Sequence, residues 1–128
     1  MPGGITVQTA PSGVALTGQA QHKRATVTGA AALLSAYISG GLPKTISGGS
    51  AIGPSQNPSV AYLQAESANT GTVYVTWDGQ STPLANATLG FVVPTAPAFL
   101  RIPGRECVAA IKCIASTGTQ YLQCYFEP

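Results

Sequence analysis

The sequence predicts an all-β domain, a β-sandwich of jelly-roll-like organisation, and three observations carry that expectation. Apolar residues alternate with polar ones over short runs along most of the chain, the pattern of half-buried strands. Glycine and proline punctuate those runs, 15 and 10 times respectively in 128 residues. Only one stretch has the spacing of a helix face, so strands and helices do not alternate as they would in an α/β fold. The length suits one domain, since roughly 100–150 residues is the commonest size for a single core. No repeat with a period of ~20–50 residues is visible.

Residues 1–23 read as an N-terminal arm or a pair of edge strands, and residues 24–128 as the sandwich domain. Ile5 to Thr9 and Val14 to Thr17 alternate, but Pro2, Gly3, Gly4, Pro11 and Gly13 interrupt them. Such segments suit an edge or a partner chain better than a central position. Ile5, Val7, Val14 and Leu16 are the apolar positions of this arm, and Lys23 and Arg24 follow it. These six residues are the candidate partner contacts. Arg24 to Thr28 forms the next short strand. Between Ala30 and Ile38 the period changes: Leu33, Leu34, Tyr37 and Ile38 share one helical face, and Gly40, Gly41 and Pro43 supply a stop. One short helix is expected there, or a bent strand. Residues 40–58 then read as a long Gly/Pro loop, uncommon inside a compact domain and often functional.

The second half is more regular. Ala61, Leu63 and Ala65 alternate on one face of the run Val60–Glu66, and Val73, Val75 and Trp77 on one face of Thr72–Trp77. Folding the two runs as a hairpin sets Ala65 opposite Val73 and Leu63 opposite Val75, so the apolar rows coincide. Asp78-Gly79 makes a turn. A closing hairpin with its tip at Thr117-Gly118 places Cys113 opposite Leu122, Ile111 opposite Cys124 and Ala109 opposite Phe126, with Lys112 and Gln123 on the other side. Leu63, Val73, Val75, Ile111, Leu122 and Phe126 are expected in one core. Tyr62, Tyr74, Tyr121 and Tyr125 fall on the opposite faces, where aromatic rings pack neighbours or stack on ligands.

Composition narrows the function. Charged residues make up 8% of the chain, with six Lys/Arg against four Asp/Glu, where an ordinary soluble domain carries roughly 25%. Free proteins keep surface charge to stay apart from their neighbours, so this deficit points to an assembled structural protein. The net charge of +2 is too small for a nucleic-acid footprint, and the only basic cluster is His22-Lys23-Arg24. The longest apolar stretch, Ala30 to Ile38, is far short of the ~18–20 residues of a membrane span. Met1-Pro2-Gly3-Gly4 lacks the charged start and apolar run of a signal peptide, so synthesis in a cytoplasm is expected.

Catalytic and metal chemistry find little support. A Ser-His-Asp set would have to join His22 to Asp78, each the only residue of its type. Cys107, Cys113, Cys124 and His22 lack the knuckle spacing of a zinc site, and the cysteines sit on the apolar rows, where thiols behave as small hydrophobes. Gly40 to Thr45 departs from a phosphate loop because Pro43 precedes Lys44. The expectation is a protein that is not an enzyme and holds no cofactor or metal.

The order of segments carries a resemblance. Thr28 to Ala36 leads into a Gly/Pro loop, and Tyr62-Leu63-Gln64-Ala65-Glu66 runs through Asn69-Thr70-Gly71 into Thr72-Val73-Tyr74-Val75. Asp78-Gly79, a Pro-bounded strand containing Phe99-Leu100-Arg101-Ile102, and a turn around Gly118 follow. Over roughly residues 24–128 this resembles small virion structural proteins of tailed bacteriophages, of the head-decoration or capsid cement type. The resemblance implies a β-sandwich that binds the outer capsid surface as a homo-oligomer and stabilises the lattice of major capsid protein, with no specific nucleic acid and no membrane. Another particle component (tail, neck or fibre base) and a carbohydrate- or receptor-binding sandwich are the alternatives.

Overall fold

Two four-stranded antiparallel sheets face each other, with most of the buried apolar side chains between them. The structure is a computed structural model and describes residues 21–43, 46–47, 50–51, 57–85 and 89–127. In chain order its elements are β1 (Gln21–Val27), β2 (Ala32–Leu33), a 3-10 turn (Leu34–Tyr37), β3 (Ile46–Ser47), β4 (Ser50–Ala51), β5 (Val60–Ala65) and β6 (Val73–Thr76). Then come β7 (Phe91–Val92), β8 (Leu100–Pro103), the helix α1 (Arg105–Ala109), β9 (Lys112–Ala115) and β10 (Gln120–Glu127). One sheet has the order β1-β10-β5-β8, the other β2-β9-β6-β7, and β3 pairs with β4. Among the eight sandwich strands, only β6 and β7 are consecutive neighbours in one sheet; every other connection passes to the opposite sheet.

Alternation chose the inward residues as the sequence predicts. Ala25 and Val27 of β1, Ala61, Leu63 and Ala65 of β5, Ile102 of β8, and Leu122, Cys124 and Phe126 of β10 are buried from one side. Val73 and Val75 of β6 and Cys113 and Ala115 of β9 are buried from the other, and Ile111 and Val108 join the same core. All six residues expected to share an interior do so.

The strand partners differ from the expected hairpins. β5 does not pair with β6; it lies between β10, with Leu122 opposite Ala65, and β8, with Ile102 opposite Ala61. β9 does not pair with β10 either, but with β6 and β2. Both expected hairpins are instead arches, in which the chain crosses the core and the two strands meet face to face. A hairpin and an arch bury the same alternating residues, so the pattern could not separate them.

What distinguishes them is a polar junction where the two arches, residues 66–72 and 116–119, pack together. Thr72 N–H donates to Ser116 Oγ at 2.9 Å, and Ser116 N–H returns a bond to Thr72 O at 2.8 Å. The Asn69 amide binds both backbone groups of Tyr121, accepting its N–H at 2.9 Å and donating to its carbonyl at 2.9 Å. Gln120 is 1% exposed; its Oε1 accepts the Thr70 N–H at 3.0 Å and its Nε2 donates to Thr117 O at 2.7 Å. Gly71 is required by this close approach, because a Cβ there would lie 2.8 Å from both Ser116 Oγ and Thr117 Cγ2.

Four further expectations are refined or corrected. The short helix or bent strand expected over residues 30–38 is present in reduced form, as a two-residue strand followed by a 3-10 helix of one turn. Sheet pairing overrides local helix propensity there: β2 pairs with β9, and Leu34 N–H donates to Ile111 O at 2.8 Å. Leu34 and Ile38 still enter the core, while Leu33 is exposed. Ala109 belongs to α1 rather than to a strand opposite Phe126. The first strand begins at Gln21 rather than Arg24, so Gln21, His22 and Lys23 are part of the sheet, paired with Phe126, Tyr125 and Cys124. Within the stretch read as a loop, β3 and β4 form a small pairing.

Two substitutions test this packing. Phe126 is 1% exposed, so Phe126→Ala should lower unfolding free energy by about 3–5 kcal/mol in a urea titration; an unchanged midpoint would contradict the core assignment. Gln120→Ala removes the buried acceptor of the Thr70 N–H and should cost about 1–3 kcal/mol, although it deletes little apolar contact.

Candidate binding face

Register brings outward side chains of β1, β10, β5 and β8 into rows across one sheet. His22, Tyr125, Tyr62 and Arg101 lie successively opposite one another, and Arg24, Gln123 and Gln64 form the next row. The rings of Tyr62 and Tyr125 are 5.9 Å apart at 55°. Phe99, just before β8, closes on Tyr62 at 5.6 Å and 68°, an edge-to-face contact. Gln64 Nε2 donates to Ala98 O at 2.8 Å, which ties the segment carrying Phe99 to β5. Between these groups is an open concavity of about 370 Å³, bordered by His22, Tyr62, Gln64, Phe99, Gln123 and Tyr125.

The charges beside this concavity are largely matched within the protein. Arg24 makes a two-point contact with Glu66, Nε to Oε2 at 2.7 Å and a terminal nitrogen to Oε1 at 2.8 Å. The guanidinium also stacks 3.9 Å from the centre of the Tyr121 ring. The Arg24 hydrogen bonds, with a further one from Gln123, hold the Glu66 carboxyl below the usual carboxylate range. Arg24 was a candidate partner contact, yet its guanidinium is engaged within the sheet. Lys23 lies opposite Cys124 and is half-buried. Ile5, Val7, Val14 and Leu16, with the rest of the expected arm to residue 20, lie outside the described residues.

A second surface surrounds β7, an edge strand of the other sheet. Phe91 and Val92 are 61% and 55% exposed, and Leu84 and Leu89 are exposed nearby. Phe91 stacks on Trp77 with ring centres 4.9 Å apart. The preceding turn is fixed by Asp78, which accepts the Ser81 hydroxyl and the N–H groups of Gln80 and Ser81 at 2.7–2.9 Å. Those bonds, the Ser81 hydroxyl foremost, hold its carboxyl down at about 2. The turn role expected for Asp78 is the one it has.

Sequence reasoning placed Tyr62 and Tyr125 outward, but not beside each other. It separated neither from Tyr121, which Arg24 covers, nor from Tyr74 on β6 in the other sheet. It placed Phe99 in a strand without marking it as a binding residue and passed over Phe91 and Val92, for which the apolar run Leu89 to Val93 was the available signal. Among the described residues, no three His, Cys, Asp or Glu side chains gather as a metal site. Cys107 is half-buried, while Cys113 and Cys124 are fully buried free thiols on opposite sheets. No helix of the described residues is long and apolar enough to cross a membrane. No protein-family model, curated protein or solved structure matches the chain.

The buried thiols yield a pH prediction. Burial pushes Cys124 from 9.0 up to about 12 and raises Cys113 further still. Unfolding would release both thiols to ordinary titration, so the unfolded chain loses these protons at lower pH than the native protein. Their contribution is therefore constant below about pH 8.5, then declines as pH rises towards the folded values. The denaturation midpoint should fall in alkali, and the Cys113→Ala/Cys124→Ala variant should fall less steeply. A thiol reagent should label native Cys107 before either buried residue.

Proposed function

We propose that the chain is a non-enzymatic virion structural protein of a tailed bacteriophage, of the capsid cement or decoration type. In this reading it binds the outer surface of the capsid lattice as a homo-oligomer and holds neighbouring major capsid subunits together. The observation that carries it is the exposed apolar edge formed by Phe91 and Val92 on a chain with 8% charged residues. An edge strand offers unpaired backbone groups to a partner strand, and adjoining apolar side chains add affinity that needs no charge. Contiguous exposed apolar surface of this kind marks a protein contact more often than a free surface.

We read the sandwich as a jelly roll, a wind of two Greek keys found in viral capsid and lectin domains. The strand orders β1-β10-β5-β8 and β2-β9-β6-β7, with all connections but β6–β7 passing between sheets, support that reading. Fold alone does not carry function, so the attachment edge bears the weight. The arm, expected over residues 1–23 and now ending where β1 begins at Gln21, would act in addition as a clasp on a neighbouring chain. The rival assignment to a tail, neck or fibre-base component differs in copy number and position: cryo-electron microscopy of the particle should find the protein at many capsid sites rather than at one vertex or along the tail.

Attachment itself can be measured on capsids stripped of the protein. Deleting residues 1–18, or replacing Phe91→Asp with Val92→Lys, should each leave a folded sandwich by circular dichroism and reduce capsid occupancy. Occupancy of the unaltered protein should change little between low and high salt, because few charges can contribute. Full occupancy by both variants would refute the proposal.

A further inference from the structure

We infer that the concavity between Tyr62, Phe99 and Tyr125 is a binding site for a neutral sugar, of mono- or disaccharide size. The inference is independent of capsid attachment, which uses the other sheet's edge. Its basis is the pairing of ring faces with neutral polar groups. A pyranose ring presents an apolar face of C–H groups and an equatorial belt of hydroxyls. The first packs on aromatic rings, and the second requires fixed donors and acceptors around them.

The volume of about 370 Å³ lies at the lower end of the ~300–1,000 Å³ usual for small-molecule sites. The rings are inclined to one another by 55° and 68°, so they form walls and not a flat platform. Such walls receive one or two sugar rings in preference to a long stacked polymer. Tyr125 is 46% exposed, and no hydrogen bond engages its hydroxyl among the described residues. Gln64 and Gln123 each donate one N–H within the protein, which fixes their amides and leaves their carbonyl oxygens as acceptors. His22 stands opposite Tyr125 in register and adds an imidazole at the border.

Other ligand classes fit less well. A purely apolar ligand would cover these amides and the imidazole without satisfying them, which is unfavourable. A nucleic acid needs cations for its phosphates, and on this face Arg24 is already bound to Glu66. Arg101, opposite Tyr62, is a single cation, too few for a phosphate backbone, and a carboxylate stands on the same face, Glu127, which accepts the Tyr62 hydroxyl at 3.3 Å. The near-balance of charge matches an uncharged polyol.

The test is an NMR titration of the isotope-labelled full chain with methyl glycosides of glucose, galactose, mannose and N-acetylglucosamine, and with their disaccharides, to millimolar concentration. At least one should give saturable shifts at the amides of residues 62–64, 99 and 123–125. Tyr125→Ala should weaken that binding roughly tenfold, Tyr125→Phe should retain most of it, and Tyr74→Ala, on the other sheet, should leave it unchanged. Capsid occupancy of Tyr125→Ala should equal that of the unaltered protein, so failure of the sugar site and failure of capsid attachment are separate results. Absence of shifts with every sugar, shifts centred elsewhere, or indifference to Tyr125→Ala would overturn the site. So would binding of a proline-rich peptide or oligothymidylate at these residues when no sugar binds.

Discussion

Gln120 begins β10 inside a junction on which the rest of the sandwich depends. Two arches cross the core, one after β5 and one before β10, and both must bury backbone groups that a simple hairpin would pair in its own sheet. Unpaired buried amides are expensive. Here the Gln120 amide, the Asn69 amide and the Ser116 hydroxyl satisfy them. Asn69 in effect extends the ladder of β10 by one residue with a side chain. Gly71 allows the approach, and Gly118, with φ of +53°, takes the left-handed conformation at the tip of the second arch. Because β10 leaves this junction, its positions between β1 and β5, and so the core and the outer rows, follow from it.

The two sheets present different outer chemistry as a consequence. The sheet centred on β10 carries tyrosines, glutamines and an internally neutralised Arg24–Glu66 pair, an arrangement suited to polar recognition at an aromatic concavity. The opposite sheet ends in a two-residue edge strand with exposed Phe91 and Val92. An apolar edge is a liability for a free protein, and natural sheets commonly blunt theirs with charge. A chain this poor in charge has few such groups to place there. The surface that a partner would cover and the surface that a small ligand would occupy therefore belong to different sheets.

Burial of the cysteines belongs to the same architecture. Cys113 and Cys124 face the core from opposite sheets, where desolvation keeps them as neutral thiols. Their place on the apolar rows of the sequence anticipated the burial but not the geometry, since the expected hairpin would have made them diagonal neighbours in one sheet.

The sequence by itself determined the all-β class, the inward residues of β5, β6, β9 and β10, the Asp78 turn, and the outward direction of Tyr62 and Tyr125. These depend on a period of two and on local turn chemistry, both readable from neighbouring residues. Tertiary structure alone decided which strands pair, because an arch and a hairpin bury identical alternating rows and differ only in where the polar junction residues find partners. It also decided that Leu33–Tyr37 becomes a strand end and a 3-10 turn, because its backbone bonds to β9 outweigh local helix propensity. The aromatic concavity belongs to this second group. Tyr62 and Tyr125 become neighbours only because β10 inserts beside β5, and Phe99 joins them because the Gln64–Ala98 hydrogen bond holds its segment there.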